Sequence, residues 1–384
     1  TRSGKIGEPK TLALAERLIE QKTALFGGNT AETAASLDNL GSLTTERGEF
    51  AKAITLHQRA LAIRRSVTGD DPSLADTVER LAIPMIWLEH FPEAQKALDE
   101  ARQIREARSE SAPLAFAHTL YLEALLYRWD GHFEAAQAAL ARVLQARLSL
   151  TPKHPDNVGP TQLNGDLLFF RGDVREAEEV WTDALQLAEQ TLGATHPEIP
   201  PLLHRLAIVA QQFGDLDRKR ELLERAIKVA PGTQVPCYSE LPAILSNFGT
   251  LSTYLGDFQQ ARTFFGDALA RSRKCFGPIH SGTTTILHNQ ADLAANMGDL
   301  AQAESLHRRA MRAWSERLGP DHPFVANGLD SLADIALSRG RNIEAGQLLE
   351  RALRLRTRTL GPESPDVAST LVSTARTMVP RGDI

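Results

Sequence analysis

Three histidines stand directly before a proline in similar surroundings, and histidine is a common metal ligand in proteins. They are His154, His196 and His322, in the phrases "PKHP", "ATHP" and "PDHP". Each belongs to a different copy of one recurring segment. If every helix layer adds about 10 Å, neighbouring copies lie about 20 Å apart, too far for shared metal ligands. We therefore interpret these histidines as part of a loop pattern and predict no metal site.

Motifs of enzymatic chemistry are missing from the sequence. It contains no GxxxxGK[ST], HExxH or GxSxG phrase and no glycine-rich dinucleotide fingerprint. No nucleophile, base and orienting group can be assembled from the motifs that are present. We predict that the chain has no catalytic residues, needs no cofactor and is not an enzyme.

A repeat of 42 residues runs through most of the chain. Glycines recur at this interval, each inside a similar phrase such as "YLGDF" or "NMGDL", and two earlier glycines continue the series with small shifts: Gly48, Gly131, Gly172, Gly214, Gly256, Gly298 and Gly340. A period of this length is typical of stacked-repeat proteins, in which each unit buries its apolar face against its neighbours. The chain should therefore be a solenoid that functions by binding.

Each repeat predicts two helices. Alanines recur five and twelve residues after the glycine position, as at Ala261 and Ala268. They lie two helical turns apart on one face, which allows a neighbouring helix to approach closely. Before the glycine, apolar or small residues at spacings of three and four predict a first helix. Between repeats, a glycine and then a proline mark helix ends, with Asp71 and Ser364 as expected N-caps.

Residues 319–361 resemble the long, 42-residue tetratricopeptide repeat of the kinesin light chain type, in the phrase "GPDHPFVANGLDSLADIALSRGRNIEAGQLLERALRLRTRTLG". The resemblance covers nearly the whole chain. It implies an all-α fold, an α-solenoid in which antiparallel helix pairs stack into a right-handed superhelix. The excess of arginine over lysine, together with this resemblance, favours a bacterial origin.

We interpret residues 1–384 as a single superhelical domain. Residues 9–26 should form a partial repeat with only the second helix, residues 29–360 about eight full repeats, and residues 364–384 a partial repeat with only the first helix. The first residue, Thr1, is not methionine, so we expect a fragment of a longer protein. Three prolines between residues 231 and 242 predict an irregular junction and a local kink, with an ordinary loop variant as the alternative.

Charge and cysteine content limit the function classes. A formal net charge of −5 and a pI near 6.1 argue against a nucleic-acid partner. The two cysteines give no disulfide framework, which favours a reducing cytoplasm. No apolar run is long enough for a membrane span, so no membrane association is expected. A second copy of the chain, joined through uncapped repeat ends, is the alternative partner.

The resemblance implies that the first helix of each repeat lines a concave groove and that an asparagine there often holds the backbone of a bound peptide. The corresponding position, nine residues before the turn glycine, places Asn39, Asn247 and Asn289 in the groove, with Asn164 in a unit that is one residue short. Arg80 and Arg205 occupy it elsewhere, while Leu122 and Ser331 depart from the pattern. The alternative is that these asparagines bond to neighbouring helices within the array.

Units two to four carry more apolar residues on their first helix than later units do. They include Tyr121 and Trp129, with Arg128 available for an acidic partner group; the others are Ile83, Ile86, Trp87, Leu125, Phe169 and Phe170. An exposed patch of this kind commonly marks an interaction site, although core packing is the rival explanation.

We therefore predict a protein interaction scaffold that binds a peptide or a helical segment of a partner protein in its concave groove. The alternative is a regulatory or sensor segment of a larger signalling protein whose kinase, caspase-like peptidase or transcriptional regulator domain lies outside this chain.

Overall fold

The computed structural model describes residues 9–67, 73–107, 109–150, 152–230 and 237–378, and these contain 18 α-helices, one 3-10 turn and no strand. The predicted all-α solenoid is confirmed. The helices are α1 (Pro9–Phe26), α2 (Ala31–Glu46), α3 (Phe50–Val67), α4 (Ser73–Trp87), α5 (Phe91–Glu106), α6 (Pro113–Trp129), α7 (Phe133–Leu150), α8 (Val158–Arg171), α9 (Val174–Thr191), α10 (Ile199–Gln212), α11 (Leu216–Val229), α12 (Leu241–Tyr254), α13 (Phe258–Phe276), α14 (Ser281–Asn296), α15 (Leu300–Leu318), α16 (Pro323–Ser338), α17 (Asn342–Leu360) and α18 (Pro365–Met378).

Each even-numbered helix from α2 to α16 packs against the odd-numbered helix that follows it, and each pair packs against the next. We call the even-numbered helices the A helices and their partners the B helices. Helix α1 precedes the first pair and α18 follows the last. The expected N-cap Asp71 and the first part of the predicted kink, residues 231–236, lie outside the described residues.

The recurring alanines of the B helices are completely buried. All fourteen have no accessible surface: Ala53, Ala60, Ala94, Ala101, Ala136, Ala177, Ala184, Ala226, Ala261, Ala268, Ala303, Ala310, Ala345 and Ala352. A methyl side chain lets the facing helix backbone come close, and a larger one would push the layers apart. The expected close approach of the helices is confirmed at these positions.

The turn between the A and B helices uses two neighbouring residues for two tasks. Gly256 has a φ of +75°, in the left-handed region that favours glycine. The next residue, Asp257, is the N-cap of α13, and its carboxylate accepts a hydrogen bond from the backbone N–H of Gln260 at 2.9 Å. The Gly-Asp phrase therefore ends one helix and begins the next.

The histidines that precede prolines each accept a backbone hydrogen bond in the connection between repeats. Nδ1 of His322 accepts a hydrogen bond from the backbone N–H of Phe324 at 3.2 Å, and His154 and His196 bond in the same way to the N–H two residues ahead. Ser364 caps α18 through the N–H of Asp366. The interpretation of these three histidines as loop elements is confirmed.

The superhelix touches itself after one complete turn, which the sequence analysis did not predict. The carbonyl oxygens of Trp87 and Trp129 bond to Nε2 of His280 and His322, each 193 positions further along, at 2.9 and 3.2 Å. With repeats of 42 residues, this separation corresponds to about 4.6 repeats per turn. We call this line of contacts the seam; it also includes Arg47 with Cys237, Leu88 and Glu89 with Ser281 and Arg317, and Gly172 with Pro365.

Glu89 occupies the turn position that glycine holds in the other repeats. Its φ is +58°, and it is the one non-glycine residue with positive φ in the described part of the chain. The side chain is buried in the seam, where it accepts a hydrogen bond from the N–H of Ser281 at 2.9 Å and pairs with Arg317 at 3.2 Å. These contacts offset the conformational cost of a side chain in this region.

Both cysteines are joined in a disulfide, contrary to the expectation from the sequence. Cys237, just before α12, pairs with Cys275 in the last turn of α13, with Cα atoms 5.5 Å apart. The N–H of Cys237 also donates to the carbonyl of Arg47 across the seam. Two cysteines that are distant in sequence carry no pairing signal of their own. The pairing removes the cysteine argument for a reducing compartment.

Glu89→Ala should loosen the seam. Removing the carboxylate leaves the Ser281 N–H without its partner and the Arg317 guanidinium with only the Leu88 carbonyl across the seam. We expect a loss of about 2–3 kcal/mol in the free energy of unfolding. We also expect a larger radius of gyration in small-angle X-ray scattering. Glu89→Gly, which relieves the backbone strain, should expand the molecule equally, whereas the highly exposed Asp217→Ala should leave it unchanged. An unchanged radius in both Glu89 variants would contradict a seam that holds the turns together.

Acid should also open the seam. Burial lowers the pKa of His322 from 6.5 to about 4, and burial lowers the pKa of His280 as well. Both rings are neutral in the folded protein, whereas in the unfolded chain they take up a proton below about pH 6.5. Proton binding therefore favours the unfolded state, and the free energy of unfolding falls as the pH decreases from 6.5 towards 4. For His322 this amounts to about 3 kcal/mol. Urea unfolding of wild type and His322→Asn at pH 7 and pH 4.5 should show a smaller acid loss in the variant; equal losses would rule out this role.

Candidate functional site

One turn of the superhelix encloses a cavity of about 870 Å³. Its wall comes mainly from the A helices, from the end of α4 through α6, α8, α10, α12 and α14 to the start of α16. Consecutive A helices stack side by side, so each contributes the residues of one face to the wall. The cavity therefore lies where the concave surface of a solenoid is expected.

Aromatic side chains form one part of the wall. Trp87 and Trp129 belong to consecutive A helices, and their ring centroids are 6.2 Å apart. The guanidinium of Arg128 lies 4.0 Å from the ring centre of Trp129 and 5.3 Å from that of Phe170. Phe276 joins this wall from the end of α13 and stacks on His280. Flat faces of this kind provide large contact areas for a ligand.

Charged and polar side chains form another part of the wall, which we call the charge chain: Arg128, Asp166, Arg205, Glu240 and His204. The Asp166 carboxylate accepts from Nη2 of Arg205 at 3.0 Å and lies 3.1 Å from Nη2 of Arg128. Glu240 bonds to Nδ1 of His204, and its carboxylate lies 3.9 Å from Arg205. The chain links α6, α8, α10 and the residue before α12, so it connects four consecutive units.

Burial and pairing act in opposite directions on these groups. Burial alone would raise the pKa of Glu240, but the hydrogen bond from His204 and the charges of His204, Arg205 and Arg128 lower it to about 2. Burial would also lower the pKa of Arg205, but Asp166 raises it. For Arg128 burial prevails, and its pKa falls. The Glu240 carboxylate is therefore charged at neutral pH, and neighbouring cations balance it.

Sequence profiles described as tetratricopeptide repeat match residues 33–73, 160–231, 243–281, 282–345 and 325–366. The chain is built from tetratricopeptide repeats. The Arabidopsis thaliana protein KINESIN LIGHT CHAIN-RELATED 1 is 25% identical over 170 residues, which are 44% of this chain and 28% of that protein. The chain thus matches little more than a quarter of that relative's length.

Two solved structures extend the comparison of this tetratricopeptide-repeat chain to most of its length. A Rap protein complexed with Competence and Sporulation Factor has a TM-score of 0.60 at 13% identity, covering 91% of this chain and 98% of that one. The Cut9-Hcn1 heterotetramer of APC/C has a TM-score of 0.58 at 14% identity, covering 95% of this chain and 59% of that chain. At these identities the likeness shows the fold. None of the described helices is long and apolar enough to cross a membrane.

Six of the nine residues that the sequence analysis assigned to partner binding line the cavity: Tyr121, Arg128, Trp129, Arg205, Asn247 and Asn289. The other three do not. Asn39 lies exposed on α2, which contributes nothing to the wall, and Arg80 and Asn164 lie half-buried on α4 and α8. In α6 and α8 the wall instead uses residues at other positions of the helix, such as Gln162 and Asp166.

The asparagines in the cavity are engaged within the protein through their amide nitrogens. Nδ2 of Asn247 lies 2.6 Å from Nε2 of His204 and donates to the carbonyl of Ala243 at 3.2 Å. Nδ2 of Asn289 donates to Oγ of Ser246 at 3.0 Å. The alternative noted from the sequence therefore holds for the donors. Among the described residues, no hydrogen bond reaches the Oδ1 atoms, which leaves each asparagine an acceptor.

Two further expectations need correction. Arg128 is not available for an acidic partner group, because it is largely buried and already pairs with Asp166. Among the apolar residues, Ile83, Ile86 and Leu125 pack into the hydrophobic core and do not line the cavity. Trp87, Tyr121, Trp129, Phe169 and Phe170 do line it. Helical spacing alone could not separate these two groups, because the core and the cavity lie on adjacent stripes of the same helix.

Asp166 should be the most sensitive position of the charge chain. Asp166→Ala leaves Arg128 and Arg205 without their shared carboxylate in a buried place, and we expect a loss of about 3–5 kcal/mol in the free energy of unfolding, measured with urea. The nearby Asp173→Ala, which is partly exposed, should cost less than about 1 kcal/mol. Replacing Asp166, Arg128 and Arg205 together with leucine should cost less than Asp166→Ala alone. The reverse order would contradict the assignment of a charge-balanced network.

Proposed function

We propose that this chain binds an extended peptide segment of a partner protein inside its cavity. Tetratricopeptide-repeat proteins as a class mediate interactions between proteins. The observation that carries the finer proposal is the composition of the cavity wall, which combines aromatic faces with hydrogen-bonding groups. A peptide presents both kinds of partner, because apolar side chains alternate with backbone N–H and C=O groups.

The size of the cavity favours an extended segment over a helix. A helix with its side chains is about 10–12 Å wide. A volume of about 870 Å³ would hold about 9 Å of such a cylinder, fewer than two helical turns. An extended chain advances about 3.3 Å per residue and is narrower, so several residues can contact the wall at once. We therefore narrow the sequence prediction of a peptide or helical segment to an extended peptide.

The hydrogen bonds to the peptide would use acceptor atoms of the wall that form no hydrogen bond among the described residues. Oδ1 of Asn247 and of Asn289 can each accept a backbone N–H of the peptide, while their Nδ2 donors stay engaged within the protein. Trp129 and Phe170 supply flat surfaces for apolar side chains. The Rap structure, whose fold is similar over most of its length, was solved with a bound factor. This supports ligand binding by a superhelix of such a shape.

Peptides selected from a random phage-displayed library against the whole chain provide the test. Their affinity, measured by fluorescence anisotropy, should fall about 5- to 100-fold in the double variant Asn247→Ala with Asn289→Ala, because two hydrogen bonds are lost. Trp129→Ala should weaken binding by at least about 30-fold. Arg354→Ala, on the exposed face of α17, is the control and should bind like wild type.

Circular dichroism and thermal unfolding must show that each variant keeps its helices. If the selected peptides bind the cavity variants and wild type equally well, the proposal fails. It also fails if the library yields no peptide that binds the wild-type chain. The bacterial origin, the cytoplasmic location, self-association through repeat ends and the role as a regulatory segment of a larger signalling protein remain predictions.

A further inference from the structure

Two histidines and one aspartate meet between α14 and α15, away from the cavity. His288 and Asp292 lie one turn apart on α14, and His307 lies on α15. One ligand atom from each of the three residues lies within 4.8 Å of the others. None of the three lines the cavity, and the sequence analysis predicted no metal ligands. We call this group the histidine cluster.

The repeat shows that this group is not needed for packing. The position of His307 holds an apolar residue in six of the eight helix pairs, for example Phe265 in the preceding pair and Leu349 in the following one. The position of His288, ten residues before the turn glycine, holds Ser246 in the preceding pair. Since a tetratricopeptide pair packs well with serine and phenylalanine at these positions, the two histidines call for another explanation.

Where this A-helix position carries a charge elsewhere, the structure supplies a cation. Asp38 bonds to His57, to Arg64 at 3.3 Å and to Thr77 at 2.6 Å. Glu79 likewise pairs with Arg105, 26 positions further along the chain. In the histidine cluster, the residue at that spacing is Trp314. In the described part of the chain, the ion-pair partners of Asp292 are the two histidines alone.

The nitrogen atoms are arranged as if around a cation. The Nδ1 atoms of His288 and His307 are 3.1 Å apart, and both Nε2 atoms face Asp292, at 3.7 and 3.3 Å. When each Nε2 carries the proton and points to the carboxylate, both Nδ1 lone pairs face each other. Metal–nitrogen bonds of about 2.0–2.1 Å and this spacing correspond to an N–metal–N angle of about 100°, near the tetrahedral value.

The same two helices carry two buried polar atoms without a partner. Oγ1 of Thr284 is one helical turn before His288 on the same face of α14, and the Trp314 ring centre is 5.3 Å from that of His288. Thr284 Oγ1 and Trp314 Nε1 are both buried and form no hydrogen bond among the described residues. A hydroxyl can ligate a cation, and an indole N–H can donate to a water bound to that cation.

We propose that His288 and His307 bind a divalent transition-metal ion of the Zn²⁺ class through their Nδ1 atoms, with Asp292 orienting both imidazoles through their Nε2–H groups. Thr284 and water complete the coordination, and Trp314 donates to the bound water. Carboxylate–histidine–metal arrangements of this type fix the ring orientation and raise the basicity of the ligand.

Isothermal titration of the metal-free chain with ZnCl₂ tests the proposal. Wild type should bind one Zn²⁺ per chain at the histidine cluster, with a dissociation constant in the micromolar range or below. His307→Phe and His288→Ser, which copy the residues of the preceding helix pair, should each reduce affinity by at least 100-fold. Asp292→Asn should weaken binding by about 10- to 100-fold, as expected for a carboxylate behind the ligands.

His132→Ala removes an exposed histidine that also lies beside an aspartate, and this variant should bind Zn²⁺ like wild type. Zn²⁺ should raise the unfolding temperature of wild type but not that of His307→Phe. The proposal is overturned if wild type binds no Zn²⁺, if His307→Phe binds it as wild type does, or if the loss follows His132 and not the cluster.

Discussion

The close approach of helices at the buried alanines is the constraint on which the rest of the structure depends. At these positions the B helix presents a methyl group, and the facing helix comes near enough that no side-chain surface remains accessible. Because the contact recurs in every pair, the angle between successive layers also recurs, and the stack curves regularly. After 193 residues the curvature returns the chain to itself, which creates the seam, and the cavity lies within that turn.

The seam differs from the helix stack in its chemistry. Within the stack, many apolar contacts join residues of neighbouring repeats. The stability of the stack is therefore close to the sum of the contributions of single repeats and of the interfaces between neighbours. Across the seam, fewer contacts join residues that are distant in sequence. They are in large part polar, such as two capping histidines that each bond to a carbonyl and Glu89 with Arg317, and the stacked rings of Phe50 and Phe276 add an apolar contact. Glu89 adopts a backbone conformation that glycine favours, which costs conformational free energy. The contacts of its carboxylate with Ser281 and Arg317 across the seam offset this cost.

Much of the fold could be predicted from the sequence, because its determinants are local and periodic. Positions such as Gly256, Asp257 and Ala261 each act within one or two helices, and their spacing repeats. The seam could not be predicted, since a small change in the angle between layers, summed over about 4.6 repeats, decides whether two turns meet. The disulfide could not be predicted either, because one pair of cysteines contains no periodic signal.

The cavity was predictable in part for a related reason. The position nine residues before the turn glycine does face the cavity at Arg205, Asn247 and Asn289, but in α6 and α8 the inward stripe moves to other residues. The position ten residues before the turn glycine carries a recognisable pattern that the sequence analysis missed. Asp38, Glu79 and Asp330 each precede an arginine by 26 residues, and each pairs with that arginine.

The repeats in which a histidine replaces this acidic residue can be interpreted by comparison with that pattern. At the acidic position, charge is tolerated in a helical interface because an arginine from the B helix accompanies it, and burial without such a cation would be costly. Where the A helix carries His204 instead, the charge balance is taken over by Glu240 and the cavity network. Where it carries His288, no arginine follows at that spacing, and the tryptophan found there donates no hydrogen bond among the described residues. A repeat protein can thus keep the same helix packing in every unit while individual units carry different polar groups. Binding functions are best assigned to the units that lack the pairing of an acidic residue with an arginine 26 positions later.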